Sequence, residues 1–555
     1  MEKIKNRFLL KEWEIWHTYS TYLNIGYPIN LIRLSKKMVD TGFSHLSQHI
    51  SGFTVWKYNN ELKMGITSYS DTDDSDVYNF TLKSLNENEE VKIKDFAIEA
   101  WGQCSYFRSN ELRLFNKDSL FPILYTRAFI GQCILYKTQN NERILLYPIV
   151  TVYVDGIITV EFRTISPDRY VNLKDFIDGA VNLGIEYFDA IQVPPGLSKL
   201  ASESWVRSQI NWKIYERPTI LEYEKKHEST IIAGTILDKS GDFNFELSPL
   251  SKAEDRQKES LSSLALTIFN SVAYLISNSP KGLKYILFGN PIISEIGYWF
   301  GRPHIYLCKF NGQQNISSKN ENLYKEHFAH IMLRSSKFPS NIALEHLPTD
   351  SRYAEDYSAY IGITASLWVW SKMGLERTKE YIDANRGHLI YEQQATIRLL
   401  EYSYLLYRKM YDKSYDIRNI KDVINARKEL ISLEQYLEET SKFGEIRNLI
   451  QNGLNELGVQ NIKNRIDELL KIKEFEVSNR DRRTAERIGR TITIIFGLIA
   501  IPTIANDILK PLWFLIDAPL PKTEDSIDLF FIGLTATMIA IILIFVLRIF
   551  KNSDS

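Results

Sequence analysis

Leu529 to Leu547, LFFIGLTATMIAIILIFVL, is an uncharged run of nineteen residues. At ~1.5 Å of rise per residue it covers nearly all of a ~30 Å hydrocarbon layer, and its reading decides the fold expected for the whole chain. Upstream, Thr491 to Ala505 (TITIIFGLIAIPTIA) is shorter and less uniform, but its flanks fit a membrane. Arg480, Arg482, Arg483, Arg487 and Arg490 precede it, and Arg548 and Lys551 follow the longer run. Between the two lie Asp507, Asp517, Glu524, Asp525 and Asp528, against only Lys510 and Lys522. The positive-inside rule then predicts two C-terminal transmembrane helices with both termini cytoplasmic.

The first of these runs has a distinct face. Glu486, Arg490, Thr493, Gly497, Ala500, Ile504 and Asp507 recur at spacings of four and three, mostly small or polar. In lipid such a face turns towards protein or water, so it either packs on the second span or lines a pore enclosed by several copies. Just before it, Val459, Ile462, Ile466, Leu469 and Ile472 mark a seam at helical spacing. That seam predicts a stalk helix in coiled-coil-like contact, ending in the basic collar SNRDRRTAERIGR.

A chain of 555 residues exceeds a single core. The expected divisions are an α/β segment at 1–115, an α+β domain at 116–348, a helical region at 349–458, the stalk and collar at 459–490 and a two-span hairpin at 491–549. A net charge of -1 gives no reason to expect direct nucleic-acid binding. Cys104, Cys133 and Cys308 are few and widely spaced, which fits a reduced cytosolic body better than a disulfide framework.

Within that body, Ile29 to Val39 has helical spacing, and Phe53 to Tyr58 with Leu62 to Thr67 reads as a hairpin around Asn59-Asn60. Asp71, Asp73, Asp74 and Asp76 lack the glycine and distal glutamate of a calcium loop and read as a solvated loop. Phe121 to Ile165 reads as an antiparallel meander with turns at Gln139-Asn140-Asn141 and Asp155-Gly156, the second a strong hairpin signal. Leu173 to Phe188 and Ser248 to Ile276 read as helices, Tyr285 to Phe288 and Ile305 to Phe310 as strands, and Ala359 to Trp370 as a short buried helix. Tyr391 to Met410, Ile417 to Glu439 and Glu445 to Leu457 complete the helical region.

Chemistry is sparse. The chain has no GxxxxGK[ST], GxGxxG, HExxH or GxSxG pattern, so no enzyme activity is expected. His327 and His330 stand one helical turn apart beside Glu326 and read as ordinary helix histidines. Arg302 and His304, with Tyr298 and Trp299, fall in a Gly/Pro-punctuated loop suited to a small anionic ligand.

The layout resembles the CorA-like divalent-cation channel superfamily: a cytosolic α/β body, a long helix running into a first span, an acidic outer loop, a second span and a basic tail. Members end the first span with Gly-Met-Asn; here Ile504-Ala505-Asn506 matches only at Asn506, with Asp507 next. The large body is more similar to the CorA-type membrane effectors of type III CRISPR systems. That resemblance implies a homo-oligomer, as a pentamer, in a bacterial inner membrane. It also implies a nucleotide messenger joining S-adenosylmethionine to AMP, and antiviral membrane disruption as output. Two alternatives stay open: a constitutive Mg2+ transporter, and a membrane-tethered ligand-binding or enzymatic domain.

Overall fold

The computed structural model describes residues 8–25, 28–72, 75–86, 90–114, 123–137, 142–208, 236–238, 245–249, 259–277, 298–313, 321–352, 355–380, 384–417, 419–439, 444–516, 519 and 524–553. In chain order the strands are β1 (Leu9–Tyr22), β2 (Leu46–His49), β3 (Phe53–Tyr58), β4 (Glu61–Thr72), β5 (Ser75–Ser84), β6 (Tyr125–Phe129), β7 (Cys133–Lys137), β8 (Glu142–Leu146) and β9 (Ile149–Tyr153). They continue with β10 (Ile157–Ile165), β11 (Val171–Asn172), β12 (Ala190–Val193), β13 (Ile236–Asp238), β14 (Phe245–Pro249), β15 (Trp299–Phe310), β16 (Tyr357–Ile361) and β17 (Ser366–Trp370). The helices are α1 (Leu31–Asp40), α2 (Asp95–Leu114), α3 (Leu173–Gly179), α4 (Pro195–Ser208), α5 (Leu261–Ser277), α6 (Glu321–Met332) and α7 (Ser340–Glu345). After them come α8 (Lys372–Glu380), α9 (Ala384–Tyr415), α10 (Ile420–Glu439), α11 (Gly444–Glu456), α12 (Val459–Ile504), α13 (Lys510–Leu515) and α14 (Glu524–Ser553).

The chain divides into two compact units, Met1–Tyr415 with Lys428–Ile466, and Asp416–Arg427 with Asp467–Ser555. The first is mixed α+β. Its twelve-stranded sheet runs β16-β17-β15-β1-β10-β9-β6-β2-β3-β4-β5, with β11 on β1, and a five-stranded sheet runs β13-β14-β12-β7-β8. β1 is the axis of the large sheet, antiparallel to β10 on one side and to β15 on the other. Residues of the first, second and helical sequence divisions therefore interleave in one sheet, because β1, β10, β15 and β17 neighbour one another.

Local chemistry explains the turns. Asn59 and Asn60 both take positive φ, 48° and 62°, which closes the β3–β4 hairpin as the two-residue signal requires. Between β9 and β10 the link is three residues, Val154 to Gly156, with Gly156 rather than Asp155 at positive φ, 93°. The meander, however, serves both sheets. Its first two runs each break, at Ile130–Gln132 and at Tyr147–Pro148, and Ile130 N–H donates to the Pro148 carbonyl at 3.0 Å where they cross. β6 and β9 join the large sheet; β7 and β8 turn into the small one.

Both faces of the large sheet are covered. On one face, an apolar cluster joins Val150, Val160 and Phe162 to Leu34 of α1 and to Leu264 and Ile268 of α5. A second cluster on that face joins Ile15, Ile305 and Leu367 to Phe176 of α3 and Phe328 of α6. A 3-10 turn, Val181–Ile185, bridges them, with Val181 in one and Leu183 in the other.

Several expectations are corrected. Ala359 to Trp370 is not a helix but the β16–β17 hairpin, interrupted at Gly362; aromatic and β-branched residues favour the pleated form once both faces are buried. Within Ser248 to Ile276 only Leu261–Ser277 is described as helix, and β14 occupies Ser248. In the stalk seam Val459, Ile462 and Ile466 are buried, but Leu470 continues it and Ile472 is exposed. The strand expected at Tyr285–Phe288, the turn at Gln139-Asn140-Asn141, and Asp73 with Asp74 lie outside the described residues.

The largest correction concerns the C-terminal unit. Among the described residues no helix is long and apolar enough to cross a membrane. The transmembrane hairpin therefore does not hold, nor do the multi-pass inner-membrane localisation, the orientation of the termini and the ion-channel reading built on it. The run from Thr491 is the end of α12, whose preceding turns expose Arg480, Arg482, Arg483 and Arg487, and it passes into a π turn at Ala505–Leu509. Pro511 follows that turn; proline lacks the N–H and crowds the carbonyl four residues back, which disrupts the α pattern there. In α14, Phe531 and Thr535 are buried, and Trp513 meets Phe530 and Phe531 edge-on at 5.5 and 5.9 Å. One side of the expected second span is thus occupied by contact within the unit.

Candidate functional site

Successive residues of β1 point to opposite faces of the sheet, and the two faces carry different chemistry. Thr18 pairs with Glu161 of β10 and Arg302 of β15, and Trp16 with His304, so these side chains share the face beneath α9. There Glu111 of α2 accepts from Tyr125 Oη and, at 2.5 Å, from Arg127 Nη2. Arg398 of α9 donates Nε and Nη2 to Glu161 Oε2 at 2.9 and 2.6 Å and Nη1 to Glu111 at 3.3 Å. Gln394 donates to Glu161 at 2.6 Å. Arg302 donates Nε to Glu401 of α9 and Nη1 to the Gly362 carbonyl at 2.9 Å. His304 shares a hydrogen bond with Ser366 at 2.7 Å.

Three buried arginines thus face three buried glutamates. Burial alone would raise the Glu111 and Glu401 carboxyls, but Arg127 and Arg398 at the first and Arg302 at the second outweigh it and hold both low. Burial lowers His304, against the pull of Glu401, so the array is balanced without it. Charge-matched in this way, the set fixes α9 on the sheet, with Arg302 Nη2 and Glu401 Oε2 left without a hydrogen-bond partner among the described residues.

The opposite face of β1 differs. His17 and Tyr19, between the two apolar clusters, line a cavity of about 300 Å³ with Gly184, Tyr187, Trp299 and Arg334 among its walls. Tyr19 donates its hydroxyl to the Gly184 carbonyl at 3.1 Å. Opposite Tyr19 in register stands Gly301, and a Cβ there would fall within 3.0 Å of the phenol ring. Trp299 lies 6.2 Å from Tyr19 between ring centroids, and at the mouth Tyr187 is 66% exposed.

The start of one helix and the guanidinium that ends another both border this cavity. α5 begins there, with Ser260 and Ser262 in the wall. Ser260 caps it reciprocally: Ser263 N–H donates to Ser260 Oγ at 3.2 Å and Ser260 N–H to Ser263 Oγ at 2.9 Å. Ser263 Oγ in turn donates to Glu259, so a buried carboxylate already answers the positive end of this helix.

Arg334 supplies the other. It terminates α6 in a Schellman arrangement, with Ser335 N–H donating to the His330 carbonyl at 3.1 Å and Arg334 N–H to that of Ile331 at 3.0 Å. Its φ is 56°, a position where glycine is usual and an L side chain is strained. The side chain crosses to the 3-10 turn, where Nε donates to Asn182 Oδ1 at 3.2 Å. Burial lowers its pKa, Tyr19 opposes that, and among the described residues it has no carboxylate partner. Burial and then the neighbouring Arg334 charge lower His17 to about 3, against a hydrogen bond to the Ala180 carbonyl. His17 is neutral at physiological pH, 2% exposed, and its Nε2 has no hydrogen-bond partner.

The residues singled out by sequence fall elsewhere, with one exception. Arg302 and His304 lie in β15 rather than in a loop, and their side chains face α9; Arg302 also contributes to the cavity wall. His327 stacks on Phe8 at 4.5 Å, and His330 Nδ1 bonds the Ser335 carbonyl at 3.0 Å. Among the described residues no group of three or more His, Cys, Asp or Glu is placed to hold a metal ion. Glu486, Arg490, Thr493, Gly497, Ala500 and Ile504 lie along α12, and Asn506 and Asp507 on the π turn. Glu486 pairs with Arg482 at 3.2 Å on an exposed surface, and Asn506 and Asp507 are exposed. As the wall of a membrane pore this row falls with the spans.

Missed by sequence were His17, inside the aromatic run EWEIWHTYSTY, and Arg334. The available signal for Arg334 was its position just past KEHFAHIML, where a helix commonly ends in glycine. No family model, no curated protein and no solved structure matches this chain.

Proposed function

We propose that this is a ligand-responsive binding protein whose α+β unit receives a small organic anion in the His17–Arg334 cavity. The observation that carries the reading is Arg334: a partly buried guanidinium in a strained backbone position, without a carboxylate partner among the described residues, at the wall of this cavity. Strain and unpaired charge persist where the surrounding structure holds them, and binding is the usual use. A volume of about 300 Å³ stands at the lower edge of small-molecule pockets, whose range is roughly 300–1,000 Å³. Nucleotide messengers fall within this class. Binding is favoured over catalysis because the base in the cavity, His17, is held near 3 and takes no proton at neutral pH.

Occupancy has a route to the rest of the unit. β1 and β15 wall the cavity on one face, while on the other β10 and β15 hold α9 through Glu161–Arg398 and Arg302–Glu401. A ligand that prefers one arrangement of these strands biases α9 by its difference in affinity for the two. The test is thermal unfolding of the purified chain with 1–10 mM inorganic phosphate, pyrophosphate, citrate or AMP, on the order of the concentrations that mass action needs for weak ligands. A rise in Tm with at least one anion, lost in Arg334→Ala, is expected. No shift with any of them overturns the reading.

A further inference from the structure

Resting on that reading, we infer that the anion is a singly charged aromatic carboxylate. Its carboxylate meets Arg334, and its ring lies among Tyr19, Tyr187 and Trp299.

Two arginines line the cavity, Arg302 and Arg334. Arg302 is already engaged, donating Nε to Glu401 and Nη1 to the Gly362 carbonyl at 2.9 Å. Arg334 meets no carboxylate among the described residues. One guanidinium balances one negative charge. A second charge would be opposed, because the buried Glu259 carboxylate adjoins Ser260 of the wall and accepts from Ser263 Oγ.

The guanidinium is held in a fixed plane. Nε donates to Asn182 Oδ1 at 3.2 Å and Nη2 to the Val181 carbonyl at 3.5 Å, while Asn182 Nδ2 returns a bond to the Arg334 carbonyl at 3.1 Å. Nη1 has no partner among the described residues and is not buried. Nη1 and the second hydrogen of Nη2 therefore leave a fork for a ligand. Two coplanar oxygens take such a fork with parallel bonds, which is the geometry of a carboxylate. A phosphate fits the fork as well, but its further oxygen and charge would meet no second cation: His17 is engaged with the Ala180 carbonyl, and Glu259 answers the start of α5.

Rings supply the remaining wall. Tyr19 is fixed through its hydroxyl to the Gly184 carbonyl, and Trp299 stands 6.2 Å from it between centroids. Trp299 is 38% exposed and Tyr187 more so, which leaves aromatic surface open at the mouth. Between Tyr19 and Trp299 the strand position is Gly301, so no side chain divides the rings. Open aromatic faces gain most from a flat partner, in offset or edge-on contact.

Titration calorimetry of the full chain with benzoate, cyclohexanecarboxylate, acetate, benzamide, phenyl phosphate, citrate and inorganic phosphate tests this. Benzoate should bind at least about tenfold more tightly than acetate and about threefold or more above cyclohexanecarboxylate, whose ring is saturated. Benzamide, which keeps the ring without the charge, should bind at least about tenfold more weakly than benzoate. Arg334→Ala should weaken benzoate by tenfold or more. Trp299→Leu keeps apolar bulk but no ring; it should bring benzoate and cyclohexanecarboxylate within about twofold of each other and leave acetate unchanged. Circular dichroism of each variant confirms that it is folded. If the parent binds benzoate no better than acetate or cyclohexanecarboxylate, the aromatic assignment is overturned while the anion reading stands. If phenyl phosphate binds more tightly than benzoate, the single-charge carboxylate assignment is overturned and the anion reading again stands. If neither these anions nor citrate and inorganic phosphate bind, the functional reading itself fails.

Discussion

Tyr19 and Gly301 face each other across β1 and β15, and the phenol ring occupies the space that a side chain on Gly301 would need. The cavity keeps its shape only while that position is glycine. Gly301→Val should displace the ring and cost about 1–3 kcal/mol through overpacking. Chemical denaturation measures the loss, and a variant as stable as the parent would show that Tyr19 is free to move aside.

Arg334 separates stability from binding. At φ 56° a glycine relieves strain that alanine retains, so Arg334→Gly should be more stable than Arg334→Ala by about 1 kcal/mol. Both should lose anion binding equally. Alanine equal to glycine in a melting experiment would contradict the strain assigned to this residue.

The array beneath α9 makes a third case. Glu161→Leu leaves Arg398 buried without its main partner and should cost about 3–5 kcal/mol. Adding Arg398→Leu should recover most of that, because two apolar residues replace two charges. A double variant no better than the single one would indicate that Arg398 is satisfied by Glu111 alone.

Acid should destabilise the unit before its carboxylates titrate. His17 is lowered to about 3, chiefly by burial, and His45 to about 4, by burial and then by Lys94. Between those values and the ordinary histidine pKa of about 6.5, the unfolded chain binds protons that the folded one does not. Stability therefore falls as pH drops through this window, by about 1.4 kcal/mol per pH unit for each such histidine. At pH 5 that amounts to about 2 kcal/mol for His17. The slope from urea denaturation between pH 7 and 5 should shrink by about one histidine's share in His17→Gln; an unchanged slope would assign the protons elsewhere.

Parts of this molecule are written plainly in its sequence. Asp155-Gly156 and Asn59-Asn60 announce their hairpins because each requires positive φ at the turn. The run from Leu9 does not announce itself as the central strand: with both faces buried, β1 loses the alternation that marks a half-exposed strand. Ala359 to Trp370 fails for the same reason, since a continuous apolar run has no period to tell strand from helix. Arg302 was visible as a cation near aromatics, but its partner Glu401 lies 99 residues away. His17 and Arg334 come together only through the 3-10 turn, and no local pattern encodes that meeting. The membrane reading erred because apolar length alone does not say which side of a helix is taken by Trp513.

The pairing of Leu10 with Phe310 sets a timetable for biogenesis. Three hundred residues separate them, so at roughly 5–20 residues per second of synthesis the nascent N-terminus waits on the order of fifteen seconds to a minute for its second neighbour. Throughout that interval an aromatic segment rich in hydrogen-bonding capacity leaves the ribosome with a flank uncovered, an invitation to misassociate that chaperones exist to refuse.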